Sequence, residues 1–127
     1  GNGELFELAE FSSTGTYLLK KWGSAKNLIS EENFVNYQRD GLHRAWHKNG
    51  QLETEMNYKD DKPNGLYKRY YESGGLREES NYKDWKLDGL YKSWYKNGQL
   101  MNEHIYKGGN CVNAKCWDED GNEIECD

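Results

Sequence analysis

Three consecutive stretches, beginning at Gly41, Gly65 and Gly89, repeat one pattern at a spacing of 24 residues. They read GLHRAWHKNGQLETEMNYKDDKPN, GLYKRYYESGGLREESNYKDWKLD and GLYKSWYKNGQLMNEHIYKGGNCV. Columns agree at Leu42, Leu66 and Leu90; at Trp46, Tyr70 and Trp94; at Gly50, Gly74 and Gly98; at Leu52, Leu76 and Leu100; at Glu55, Glu79 and Glu103; and at Tyr58, Tyr82 and Tyr106. A unit this short cannot bury its faces alone, so successive copies must stack on one another.

Fainter copies flank the clear ones. Residues 17–40 place Leu18, Trp22, Leu28, Glu31 and Phe34 in the repeat columns, but Lys26 stands where the turn glycine belongs. Asn2-Gly3-Glu4-Leu5 followed by Phe11 resembles the second half of an earlier unit, and Trp117 with Asp120-Gly121 a shortened final one, each slipped by one residue. The expected organisation is a single repeat domain: a partial unit over 1–16, a worn repeat over 17–40, clear repeats over 41–64, 65–88 and 89–112, and a partial cap over 113–127.

The spacing within a unit is that of strands. Leu at column 2, the aromatic at 6, Leu at 12 and Tyr at 18 share even parity, the two-residue period of a β-strand. Each unit therefore reads as two strands, and the chain as all-β. Lys48-Asn49-Gly50 and Lys96-Asn97-Gly98 suit a three-residue hairpin loop with Gly in the left-handed position, which sets Trp94 opposite Leu100. The competitor, a two-residue Asn-Gly turn, pairs Trp94 with Met101; the matched hydrophobic columns favour the first. Asp60 to Asn64, with the only proline, Pro63, and Asp84 to Asp88 read as polar turns between hairpins.

Leu, Ile, Val and Phe make 20 of the 127 residues, under the roughly 20% at which disorder becomes a serious prior. Five Trp and ten Tyr supply the missing apolar area and favour strands, although a two-layer core is difficult to fill. The net charge of −5 argues against affinity for nucleic acid or an anionic membrane, and for a basic or neutral protein partner. No apolar run approaches a membrane span. A start at Gly1 rather than Met favours export to the periplasm or cell surface over a cytoplasmic location, though an intracellular chain with an altered start would look the same. Cys111, Cys116 and Cys126 allow one bridge at most. A bridge and inert thiols stand as equal alternatives, with metal well behind, since the paired C-x-x-C form is lacking and no His follows His104.

Odd parity defines a second face. Columns 3 and 7 hold His43, His47, Tyr67, Tyr71, Tyr91 and Tyr95, and column 15 holds Glu55, Glu79 and Glu103. Equivalent residues of successive hairpins lie roughly 10 Å apart, so these form rows. Such rows either cover the sheet through cross-strand stacking or make a protein-binding surface, with Tyr supplying contact area and Glu recruiting a basic partner. His43 and His47 lie about 13 Å apart on a strand, too far for a ligand pair, and both occupy aromatic columns. Asp118 to Asn122 reads as a turn rather than a calcium loop. No catalytic constellation, metal site or cofactor site is expected.

The pattern G-L-Y-K-x-[WY]-Y-x-N-G-Q-L-x-x-E-x-x-Y-K resembles the bacterial variant of the MORN repeat, found in the YwqK-type antitoxin group, strongly over 41–107 and weakly over 17–40. The resemblance implies an elongated, twisted, single-layer antiparallel sheet of tandem β-hairpins. It further implies non-catalytic binding of another protein, as in neutralising a toxin; a structural or cell-envelope scaffold is the alternative. Exposed edges and faces make a homodimer an additional expectation.

Overall fold

In a computed structural model of the chain, residues 5–11 and 15–127 are described, with side chains from Gly15 onward. Twelve strands follow in chain order: β1 (Leu5–Phe11), β2 (Tyr17–Trp22), β3 (Leu28–Val35), β4 (Gln38–Trp46), β5 (Leu52–Lys59), β6 (Lys62–Tyr70), β7 (Leu76–Lys83), β8 (Lys86–Leu87), β9 (Gly89–Trp94), β10 (Leu100–Lys107), β11 (Asn110–Trp117) and β12 (Glu123–Ile124). They form one open antiparallel sheet in which each strand pairs with its neighbour in sequence, and the short β8 pairs with β7 just before β9 takes over. No helix occurs among the described residues, so none could cross a membrane.

The hairpin turns within units follow one design. Tyr95 N–H donates to Gln99 O at 2.9 Å and Gly98 N–H to Tyr95 O at 2.9 Å, enclosing Lys96, Asn97 and Gly98 as a three-residue loop. Trp94 therefore faces Leu100. The same bonds close the turns at His47/Gln51, Tyr71/Gly75 and Asp118/Asn122. They also close Gly23/Asn27, where Lys26 takes φ 61° in the position filled by Gly50 and Gly98 at 88°. The worn repeat has kept its hairpin, with a side chain in left-handed backbone that Gly would occupy without penalty.

Between units the turns are shorter than the polar connections expected from the sequence. Asp60 and Asp61 (φ 50° and 66°) and Asp84 and Trp85 (φ 49° and 69°) are the central pairs of two-residue turns, as are Asn36-Tyr37 and Gly108-Gly109. Positive φ at both positions matches the twist of antiparallel strands. Pro63 thus belongs to β6, buried opposite Tyr58, rather than to the turn. Of the two terminal fragments, the N-terminal one supplies β1, paired to β2, while its Asn2-Gly3-Glu4 lies outside the described residues. The C-terminal one supplies the last hairpin, and Cys116 and Cys126 are joined by a disulfide across a Cα separation of 5.4 Å. Cys111 is free and exposed.

A single layer leaves little interior. Among the described residues the buried apolar side chains are Met56 and Cys116, at 8% and 7% exposure, and Pro63. Cohesion must then come from cross-strand side-chain pairs, repeated strand after strand, rather than from a core.

Candidate protein-binding surface

Which residues share a face is set by register, and the register contains a bulge in each of the four full units. Trp46 faces Leu52 but Ala45 faces Thr54, so Glu53 has no counterpart. Ile29, Arg77 and Met101 are skipped in the same way. One extra residue inverts the alternation beyond it. Columns 15 and 18 consequently lie on the faces opposite to those their parity predicts. Tyr58, Tyr82 and Tyr106 leave the Leu/Trp stripe and join His43, Tyr67 and Tyr91. Glu55, Glu79 and Glu103 leave the tyrosine face and join the stripe.

There the glutamates meet cations. Directly opposed residues run Lys20, Glu31, Arg44, Glu55, Lys68, Glu79, Lys92, Glu103, Lys115 across the sheet, alternating in charge at every strand. Arg44 Nε stands 2.9 Å from Glu55 Oε2, Lys92 Nζ 3.8 Å from Glu103 Oε2, and Lys20 Nζ 4.0 Å from Glu31 Oε1. The expected acidic rows are one half of a neutralised ladder. The cations recur too, since Lys20, Arg44, Lys68 and Lys92 all occupy column 4, but only the register shows that columns 4 and 15 face each other.

The other face is aromatic. Tyr17 and Phe34 stack with centroids 4.6 Å apart, and His43/Tyr58, Tyr67/Tyr82 and Tyr91/Tyr106 follow at 6.0, 6.1 and 6.1 Å. Each pair bridges the two strands of one unit. Between the second and third pairs is a shallow open depression of about 270 Å³, lined by His43, Met56, Tyr58, Pro63, Tyr67 and Tyr82. Burial raises the pKa of the Tyr67, Tyr82 and Tyr91 phenols, with Glu78 adding to the effect. Burial also lowers that of His43. Glu32, 3.3 Å from its Nδ1, partly offsets the burial, and the Arg39 cation adds to it.

Column 7 has a different task. Tyr71 Oη donates to Trp94 O at 2.6 Å and Tyr95 Oη to Trp117 O at 2.9 Å. His47 Nε2 lies 2.9 Å from Tyr70 O; a carbonyl can only accept, so Nε2 carries the proton. Asn49 and Asn97 reach the next turn similarly, donating to Glu72 O and Glu119 O at 2.7 and 3.0 Å. These side chains tie the hairpin ends of the three clear repeats each to the next. Of the nine residues read as one surface, the structure thus keeps His43, Tyr67 and Tyr91 together, uses His47, Tyr71 and Tyr95 as turn-to-turn ties, and puts Glu55, Glu79 and Glu103 on the reverse.

Sequence reasoning also missed His104, which faces Tyr91 and lies 3.7 Å from Cys116 Sγ and 4.0 Å from Cys126 Sγ through Nε2. Its column holds Met56 and Ser80 in other units, and nothing local announces a partner 12 residues downstream.

No curated protein matches the chain. The family model for the MORN repeat variant matches residues 39–60, 63–84 and 87–107, which are three successive hairpin units and just over half of the sequence. The chain belongs to the MORN repeat variant family.

Proposed function

We propose that the chain is a non-catalytic protein-binding module and that its aromatic face is the docking surface. The observation that carries this reading is the row of four ring pairs, each half-exposed and aligned across four successive units. Tyrosine gives large contact area with few rotatable bonds and a polar tip, which suits recognition. On the reverse face the row of charges is matched within the sheet.

The net charge of −5 still supports a basic or neutral partner rather than nucleic acid or an anionic membrane, through the overall field rather than through glutamate rows. Neutralisation of a partner protein, in the manner of an antitoxin, is the finer form of this proposal. The scaffold reading is favoured by a separate observation: the sheet is open, with β1 and the two-residue β12 at its edges, where another copy or another chain can add strands. A light-scattering mass equal to one chain at high concentration would exclude the homodimer.

The test compares two variants in capture of partners from extracts. Tyr67→Ser/Tyr91→Ser should lose the partner retained by Glu55→Gln/Glu79→Gln on the reverse face, with circular dichroism confirming that both are folded. Retention by the tyrosine variant would overturn the assignment of the face.

A further inference from the structure

The C-terminal end of the aromatic face holds a cluster that the repeat does not explain. His104 Nε2 lies 3.7 Å from Cys116 Sγ and 4.0 Å from Cys126 Sγ, and the three ligand atoms all fall within 4.8 Å of one another. A zinc ion held at about 2.3 Å from sulfur and about 2.0 Å from nitrogen in a tetrahedron sets S···N at about 3.5 Å and S···S at about 3.8 Å. The Cys116 distance already stands close to that value, and the Cys126 distance exceeds it by about half an ångström. The two bonded sulfurs have to part, with Cys126 Sγ swinging toward the imidazole.

The surroundings fit such an opening. Cys126 follows β12 and belongs to no strand, so the tail can carry its sulfur outward while Cys116 stays on β11. Asn102 Oδ1 lies 3.1 Å from Cys116 Sγ, and its amide is oriented by an Nδ2–H donated to Ser93 Oγ at 2.8 Å. A disulfide sulfur has no hydrogen for that oxygen to accept; a thiol does. Cys116 is buried while His104 and Cys126 are half-buried, leaving a side open to solvent. The cysteines also lie beyond the last residue matched by the family model, Lys107, so the cluster is a feature of this chain rather than of the repeat.

We propose that, once the Cys116–Cys126 bond is reduced, His104, Cys116 and Cys126 form a binding site for a thiophilic divalent cation of the zinc type, with a fourth position left for water. A dithiol reductant gives up two electrons and two protons, closing to its own cyclic disulfide, while the S–S bond breaks and each cysteine becomes a thiol. Metal binding then displaces both thiol protons, leaving two thiolates and a neutral imidazole as ligands. Oxidation and metal occupancy are mutually exclusive, because the same two sulfurs serve both. The cysteine spacing carries no zinc signature, since the third ligand comes from a neighbouring strand.

The experiment uses the full chain, oxidised or reduced with a phosphine in metal-free buffer, titrated with Zn²⁺ against a chromophoric chelator and with Co²⁺ by absorbance. The reduced chain should take up one Zn²⁺ and show thiolate-to-cobalt charge transfer, and the oxidised chain neither. His104→Ala should weaken binding by more than about tenfold, the lower end of what outer-shell changes alone cost. Cys126→Ser, outside the strands and so neutral to the sheet, should abolish the charge-transfer pattern of two thiolates, and Cys111→Ser should change nothing. Equal Zn²⁺ uptake by oxidised and reduced chains, no uptake by the reduced chain, or unchanged affinity in a folded His104→Ala chain would each overturn the site.

Discussion

The two faces of this sheet solve one problem in different ways. Neither is covered by a second layer, so neither can rely on the burial of a core. One face carries the Leu/Trp stripe and the ladder from Lys20 to Lys115, in which each charge has an opposite charge on the next strand. The other carries ring pairs inside each unit, two of which line one depression with the buried Met56. Charge pairs at this exposure are individually weak, whereas aromatic pairs combine area burial with a specific ring contact. The difference teaches that the aromatic face should carry more of the stability, and the charged face more of the register.

That contrast is open to attack. Tyr67→Ala removes the ring against Tyr82 and should cost about 2 kcal/mol, read as a lowered urea midpoint; a loss no larger than that of a charge substitution would erase the distinction. Glu55→Lys puts a third cation between Arg44 and Lys68 and should cost about 1 kcal/mol, because like charges directly opposite repel. Its cost should shrink in high salt, while that of Tyr67→Ala should not.

Lys26→Gly touches neither face and serves as a control. Relief of left-handed backbone at about 1–2 kcal/mol is offset by about 0.4–1 kcal/mol of added freedom in the unfolded chain. A net stabilisation of about 0.5 kcal/mol should appear in the same denaturation.

The smallest effect is expected at His43, whose pKa burial holds below the ordinary 6.5. The unfolded chain then binds the proton more readily, so this contribution is present above about pH 6.5 and is lost as pH falls through the folded pKa. His43→Tyr, the residue its column carries elsewhere, should gain stability relative to the parent chain as pH is lowered from 7. Parallel pH profiles for the two proteins would contradict this.

The architecture was legible because its rules are local. A 24-residue period, strand parity at Leu42 and Trp46, and Lys96-Asn97-Gly98 between them are enough to specify hairpins and to set Trp94 opposite Leu100. The hairpin at Lys26 was less legible: its flanking columns fit the repeat, but the missing turn glycine left the number of hairpins open. The candidate surface was legible only in part. His43, Tyr67 and Tyr91 were placed together correctly, but Glu55, Glu79 and Glu103 were counted across a bulge that nothing in the sequence marks: the skipped residues are Ile29, Glu53, Arg77 and Met101, which share no chemistry.

Repetition and turn chemistry are written into neighbouring residues, and from them the sequence dictates an all-β array of hairpins in chain order. Facing and proximity depend on strand pairing, where one unpaired residue turns every later side chain to the opposite face. The charge ladder, the turn-to-turn bonds of Tyr71 and Tyr95, and the meeting of His104 with Cys116 and Cys126 arise there, because each joins residues that only the register brings within contact distance.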